Sequence, residues 1–403
     1  MVADIKKSIA TGSVYAPPSK SMAHRLLICA ALTGSECKIE NVSLSEDISA
    51  TIDCLNSLGA VITVENDTAF VKGIDFNNLP DEIILNCRES GSTLRFMIPI
   101  LLLTGKKSVL RGSNYLFTRP LSVYEEICTS NGFLYEKGVN SLVIKGRLSG
   151  GNFTVNGDIS SQFISGLLFV LPFLEHDSKI IINGNFESRS YVEMTLKVLS
   201  LFGVEALLND NVIFVKASQK YVSTDAFVEG DYSNSAFLDA LNYVGGNVSV
   251  LGLNEESLQG DKVYIEYFEE LSNGTPTLDI SNCPDLAPIL FALAAYLNGA
   301  TFVGTRRLKM KESDRASVMK EELEKFGSEI TVLENKVVIE KRKLNAPNTV
   351  LCGHNDHRIV MALSVLLTVF SGKIKGAEAI KKSFPDFFEK ISTLGVEVSL
   401  YDN

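Results

Sequence analysis

Lysine, arginine and small hydroxyl residues recur in short clusters along this chain, each where an apolar helical run begins. Lys20, Ser21 and Arg25 lie in PPSKSMAHR, with Ser19 a candidate N-cap and Ser21 and Arg25 one helical turn apart. Gly91, Ser92, Thr93 and Arg95 lie in ESGSTLRF, and Arg119 precedes Pro120. Ser160, Ser161 and Gln162 form one uncharged run, Ser188, Arg189, Ser190 and Tyr191 another, and Asp285 follows Pro284. KMKESDR holds Lys311, Glu312 and Arg315, HNDHR holds His354, Asp356, His357 and Arg358, and Lys382 falls in KKSFPDFF. Free N–H groups and the macrodipole at a helix start favour anions, so these clusters predict seats for phosphate or carboxylate groups. Gly91 is expected to let a ligand approach the backbone, and Lys311 and Arg315 to share a helix face with Glu312 beside them.

Other chemistries lack their signatures. His354 and His357 form an HxxH pair, but no HExxH or acidic cluster accompanies it and Arg358 would repel a cation, so no metal is expected. There is no GxSxG, GxGxxG or P-loop pattern, which argues against a serine nucleophile, a dinucleotide and ATP. The seven cysteines are scattered and never form CxxC, so reduced, mostly buried thiols are expected. A formal charge of −10 disfavours nucleic acid and anionic membrane over the molecule as a whole. No apolar stretch approaches the roughly 20 residues of a membrane helix, and the N-terminal residues have no signal-peptide h-region. A cytoplasmic enzyme with a local anion cradle is the expectation.

The elements that position these clusters repeat. In each unit a polar turn opens an apolar helix, a β-branched strand follows, and a second amphipathic helix ends in Gly before another strand. Such units begin near residue 17 and near Glu89, Gly157, Gly230, Cys283 and His354. The glycines closing the second helices, Gly59, Gly132, Gly203, Gly274, Gly327 and Gly395, are spaced 73, 71, 71, 53 and 68 residues apart. Six units predict an α/β fold of two similar lobes with three units each. The boundaries are expected to give an N-terminal lobe over 14–231 and a C-terminal lobe over 1–13 plus 232–403. Hinges are expected near 12–18 and 228–234, without a Pro-rich or Gly-rich linker.

In this order, PSKSMAHR, ESGSTLRF, Arg119-Pro120, SSQF, PDLA, KESDR, NDHR and KSFPDFF closely resemble the motif series of the 5-enolpyruvylshikimate-3-phosphate synthase family. The resemblance spans Pro17 to Phe388 and implies two lobes of three βαβαββ units, an inside-out α/β barrel, with a ligand cleft between them. It implies transfer of the enolpyruvyl group of phosphoenolpyruvate to a ring hydroxyl of shikimate 3-phosphate. Addition gives a tetrahedral intermediate, elimination releases phosphate, and neither metal nor cofactor takes part. Phosphoenolpyruvate would meet Lys20, Gly91, Arg119, Gln162, Arg315, Arg358 and Lys382. Shikimate 3-phosphate would meet Lys20, Ser21, Arg25, Ser160, Ser161, Gln162, Ser188, Asp285 and Lys311. Proton transfer would fall to Asp285, Glu312 and Lys20, in an order that spacing leaves open.

The related UDP-N-acetylglucosamine enolpyruvyl transferases carry a reactive Cys in the loop before the Arg-Pro pair, and GSNYLFTRP has none. Two departures from the family pattern are Arg307, where Asn is frequent, and Ser92, where Thr is usual. A non-catalytic anion-binding relative is the alternative of a different class, against which Asp285, Glu312 and Lys20 weigh. The family implies a monomer. Because each expected lobe holds part of the cation set, lobe closure is expected to accompany catalysis.

Overall fold

The computed structural model describes residues 1–402 as two compact units, Lys20–Glu229 and Met1–Ser19 with Gly230–Asn403. The chain passes between them twice, at Ser19 to Lys20 and at Glu229 to Gly230.

One sheet pattern recurs within each unit. Strands Glu82–Asn86 and Lys107–Arg111 pair in parallel, Ser141–Lys145 adds antiparallel to the second, and Leu134–Lys137 closes the edge. Gly151–Asn156, Ser178–Asn183, Val212–Val215 and Ala206–Asn209 repeat that order. So do Thr277–Asp279, Ala300–Val303, Lys336–Glu340 and Glu329–Leu333. In three sheets one strand arrives from far along the chain. Ala226–Phe227 supplies the parallel partner of Glu36–Glu40, and Val2–Ile5 lies between Gly372–Lys375 and Val398–Tyr401. The remaining sheet is Thr11–Tyr15 in parallel with Asn247–Leu251.

This accounts for the one short glycine interval. After helix Tyr264–Asn273 the chain runs directly into Thr277–Asp279 with no intervening hairpin, so the fourth repeat is truncated. Gly59, Gly132, Gly203, Gly327 and Gly395 adopt positive φ after their helices, which a Cβ would strain. Gly274 is extended and ends its helix without that turn.

Helices that are apolar nearly all round fill the interior of each unit. Gly91–Thr104 buries Leu94, Phe96, Met97, Ile98, Ile100, Leu101 and Leu102, and His357–Phe370 buries its side chains through Thr368. Ser364 and Thr368 in the latter satisfy their hydroxyls on the Val360 and Val365 carbonyls. Six of the seven cysteines are buried thiols and Cys352 is half-buried. Among the described residues no helix is long and apolar enough to cross a membrane.

Close helix contact in the Lys20–Glu229 unit depends on Gly166, in helix Ser161–Leu168. A Cβ there would lie 2.4 Å from the Tyr124 hydroxyl and 2.8 Å from the Arg95 carbonyl oxygen, and that hydroxyl donates to that carbonyl at 2.7 Å. Gly166→Ala is therefore expected to destabilise by about 1–3 kcal/mol through overpacking, lowering the Tm by a few degrees in a thermal melt. An unchanged melt would remove Gly166 as a packing constraint.

Candidate active site

Helix Lys20–Leu32 buries ten consecutive residues from Ala23 and leaves Lys20 and Ser21 half-buried in its first turn. Lys20 Nζ lies 3.0 Å from Asp47 Oδ2. One turn on, Arg25 faces inward. Its Nη1 donates to the Ser21 carbonyl at 2.7 Å, its Nε to Thr195 Oγ1 at 2.8 Å, and its Nη2 to the Tyr191 carbonyl at 2.9 Å. Burial lowers its pKa to about 10, so it stays charged at neutral pH. Arg25 thus underpins Ser21 and spends most of its donors on the protein.

Helix Gly91–Thr104 begins at Ser90, whose side chain accepts from the Thr93 amide. A Cβ on Gly91 would sit 2.4 Å from Arg119 Nη1, so the guanidinium packs on the first residue of this helix. Ser92 Oγ accepts from Gln162 Nε2 at 2.8 Å, Gln162 Oε1 accepts from Arg95 Nη1 at 2.7 Å, and Arg95 Nη2 donates to the Pro120 carbonyl at 3.1 Å. Three separate motifs are thereby joined by one hydrogen-bonded path. Ser160 caps helix Ser161–Leu168, and Ser161 is buried. Ser188 precedes helix Arg189–Leu201 in the left-handed region at φ 54°, a conformation that costs a non-glycine residue free energy. Behind these groups, His24 Nδ1 bonds Thr51 Oγ1 at 2.8 Å, Thr51 bonds Thr93 at 2.7 Å, and Thr93 bonds Ser90 at 2.7 Å.

In the other unit, the buried Arg315 guanidinium meets three carboxylates: Asp285 Oδ1 at 2.7 Å, Glu312 Oε2 at 2.6 Å and Asp356 Oδ2 at 2.9 Å. Lys311 Nζ is 3.1 Å from Asp285 Oδ1, and Arg358 Nη2 is 3.3 Å from Asp285 Oδ2. Burial alone would raise the Asp285 pKa, but Arg358, Lys311 and Arg315 override it and hold the carboxyl well below its ordinary range. Burial lowers the Lys311 pKa despite Asp285 beside it. Asp356 caps helix His357–Phe370 by accepting from the Arg358 amide, and it also accepts from Ser313 Oγ at 3.0 Å. Lys382 Nζ donates to the Asn355 carbonyl at 2.7 Å. The two units therefore each hold a cluster of cations with a few carboxylates, the pattern of a polyanion site with acid–base groups.

A sequence profile of the family described as EPSP synthase (3-phosphoshikimate 1-carboxyvinyltransferase) matches residues 5–391. The chain belongs to the EPSP synthase family. This membership makes the chain an enolpyruvyl (carboxyvinyl) transferase. The 3-phosphoshikimate 1-carboxyvinyltransferase of Clostridium botulinum strain Alaska E43 is 41% identical over 411 residues, covering 95% of each chain. That of Clostridium acetobutylicum is 41% identical over 412 residues, covering 96% of each. A solved EPSP synthase structure from Acinetobacter baumannii has the same fold, with a TM-score of 0.80 at 21% identity over 99% of both chains.

Within this EPSP synthase family chain, the other groups singled out in the sequence sit as follows. Lys311 and Arg315 do not share a helix face. Asp314 caps helix Arg315–Glu324 by accepting from the Ser317 amide, which leaves Lys311 in extended backbone. The space beside Gly91 holds the Arg119 guanidinium. Arg119-Pro120 does not open a helix: Arg119 terminates Asn114–Thr118, and the next helix starts at Ser122. Ser19 directs its hydroxyl to Gln259 Oε1 at 3.3 Å. His354 and His357 turn to different partners: His354 Nε2 bonds Glu322 at 2.8 Å, while His357 Nδ1 lies 3.9 Å from Asp356. Arg307 is buried and donates to the Ser281 carbonyl at 2.7 Å. Asp47 belongs to none of the clusters singled out in the sequence, while His24, Arg95 and Asp356 lie within three of them without an assigned role.

Burial first, then the charges of Lys20 and Arg25, pull the His24 pKa well below its ordinary 6.5. The unfolded chain therefore takes up a proton more readily than the folded one. The contribution of neutral His24 is whole above about pH 6.5 and declines as the pH falls below it. Thermal unfolding of His24→Gln should lose less stability between about pH 7 and 5 than the wild type does; parallel slopes would contradict this assignment.

Proposed function

We propose that this chain transfers the enolpyruvyl group of phosphoenolpyruvate to the 5-hydroxyl of shikimate 3-phosphate, releasing phosphate, as the shikimate-pathway step toward aromatic amino acids. It does so as a cytoplasmic monomer without metal or cofactor. The observation that carries the assignment of roles is an ionised carboxylate, Asp285, held among Lys311, Arg315 and Arg358. Each substrate brings a phosphate and a carboxylate, and such groups compete directly for those cations. As they bind, Asp285 loses its partners and its proton affinity rises, which turns a weak base into one able to accept the hydroxyl proton.

The same exchange acts on Glu312. Its hydrogen bond from Arg315 weakens as the guanidinium turns to phosphoenolpyruvate, leaving Glu312 free to take a proton and pass it to the methylene carbon. Lys20 shares that role, with Asp47 as its resting counter-charge. Arg119 on the positive end of helix Gly91–Thr104 concentrates potential that favours an anion there. Phosphoenolpyruvate is bound by Lys20, Arg119, Gln162, Arg315, Arg358 and Lys382, and shikimate 3-phosphate by Ser21, Ser160, Ser161, Ser188 and Lys311 with Arg25 bracing Ser21. Departing phosphate is stabilised by the same cations that bound it in the substrate.

Phosphate release with phosphoenolpyruvate and shikimate 3-phosphate, measured beside UDP-N-acetylglucosamine as acceptor, tests the assignment. Release with the first acceptor alone is expected; release with neither would leave a non-catalytic anion-binding protein. Asp285→Asn is expected to lower kcat by about 10²–10⁴-fold with little change in substrate affinity, and unchanged turnover would remove it from the mechanism. Gly91→Ala, which must displace Arg119, is expected to raise the KM for phosphoenolpyruvate about tenfold and leave that for shikimate 3-phosphate nearly unaltered.

A further inference from the structure

Away from the groups assigned above, helix Arg315–Glu324 carries a carboxylate with no solvent exposure. Glu322 Oε1 accepts from Lys325 Nζ at 2.7 Å and from His354 Nε2 at 2.8 Å, and Glu322 Oε2 accepts from the Cys352 amide at 3.0 Å. A glutamate this deep in the protein costs desolvation unless fully partnered, and here every partner but Lys325 belongs to one short turn. That turn is strained. His354 and Asn355 both have positive φ, at 47° and 54°, two consecutive non-glycine residues in the left-handed region. Gly353 before them is sterically enforced, because a Cβ would lie 2.5 Å from Val360 Cγ2. The groups on which the reaction depends begin within the strained pair and continue just after it. The Asn355 carbonyl receives Lys382 Nζ, Asp356 receives Arg315, and Arg358 reaches Asp285.

One helix thus grips both ends of the turn: Arg315 in its first turn holds Asp356, and Glu322 two turns later holds Cys352 and His354. We propose that Glu322, acting through His354 and the Cys352 amide, is a positioning residue that holds the 352–356 turn in its strained form and thereby sets Lys382 and Asp356 for phosphoenolpyruvate. The inference rests on the assignment of Lys382, Arg315 and Arg358 to that substrate. A carboxylate suits this place because all three neighbours donate. An amide at position 322 turns an NH₂ group toward donors and loses at least one bond. A glutamine at position 354 keeps an N–H to offer to Glu322.

Steady-state kinetics of the full chain read the proposal, with wild type, Glu322→Gln, His354→Ala and His354→Gln assayed in parallel. Glu322→Gln and His354→Ala should each raise the KM for phosphoenolpyruvate about tenfold or more, with the KM for shikimate 3-phosphate within about twofold of wild type. His354→Gln should restore most of the loss seen in His354→Ala. A merely structural role predicts something else: a lower Tm and a smaller fraction of active enzyme, with both KM values unchanged. That pattern in a variant that still folds, or equal rises in both KM values, overturns the inference and leaves the enzymatic assignment standing. Absence of phosphate release by the wild type overturns both.

Discussion

Arg315 is the residue on which the Gly230–Asn403 part of the site depends. Its guanidinium is almost wholly withdrawn from water, and a buried cation of this kind is tolerated only where carboxylates surround it in good geometry. Asp285, Glu312 and Asp356 provide that geometry, and they come from three stretches of sequence that have no other reason to meet. A short helical turn after Pro284, the loop ahead of helix Arg315–Glu324 and the cap of helix His357–Phe370 are all drawn to one planar fork. Removing any of the three acids leaves a charge without full compensation, so each acid is held to its place by the other two. The balance of cations and carboxylates also lets incoming phosphate and carboxylate groups exchange for protein partners rather than meet bare cations.

The Lys20–Glu229 unit holds its cations through several neutral partners as well. Its Arg25, Arg95 and Arg119 bond mainly to carbonyls, hydroxyls and an amide or pack against backbone, and Asp47 balances Lys20. His24 fits this setting because a neutral imidazole bonds to Thr51 without adding another charge.

Much of this is legible in local pattern. Helices that end in a left-handed turn need glycine at that point, and so Gly59, Gly132, Gly203, Gly327 and Gly395 mark the repeat in the residue order alone. Anion-binding helix starts are equally local, since cap, small residue and cation must occur within one turn. What local pattern misses depends on distance along the chain. The pairing of Val2–Ile5 with residues beyond 370 has no periodic trace. Nor do the partners of buried charge: Asp356 and Glu322 look like ordinary cap and helix acids until Arg315 and His354 are seen beside them. The extended backbone at Lys311 is masked by a competing local signal, the Asp314 cap, which starts the helix at Arg315, four residues after Lys311.

The strand order also sets a timetable. A ribosome emits Val2–Ile5 long before its neighbours Gly372–Lys375 and Val398–Tyr401. The Lys20–Glu229 unit can complete all its sheets once Ala226–Phe227 emerges, while Val2–Ile5 waits for partners made more than 360 residues later. Bare strand edges invite association with other chains, and charge blunts that tendency. Asp4 within the strand, with Lys6 and Lys7 directly after it, places such charge on this segment.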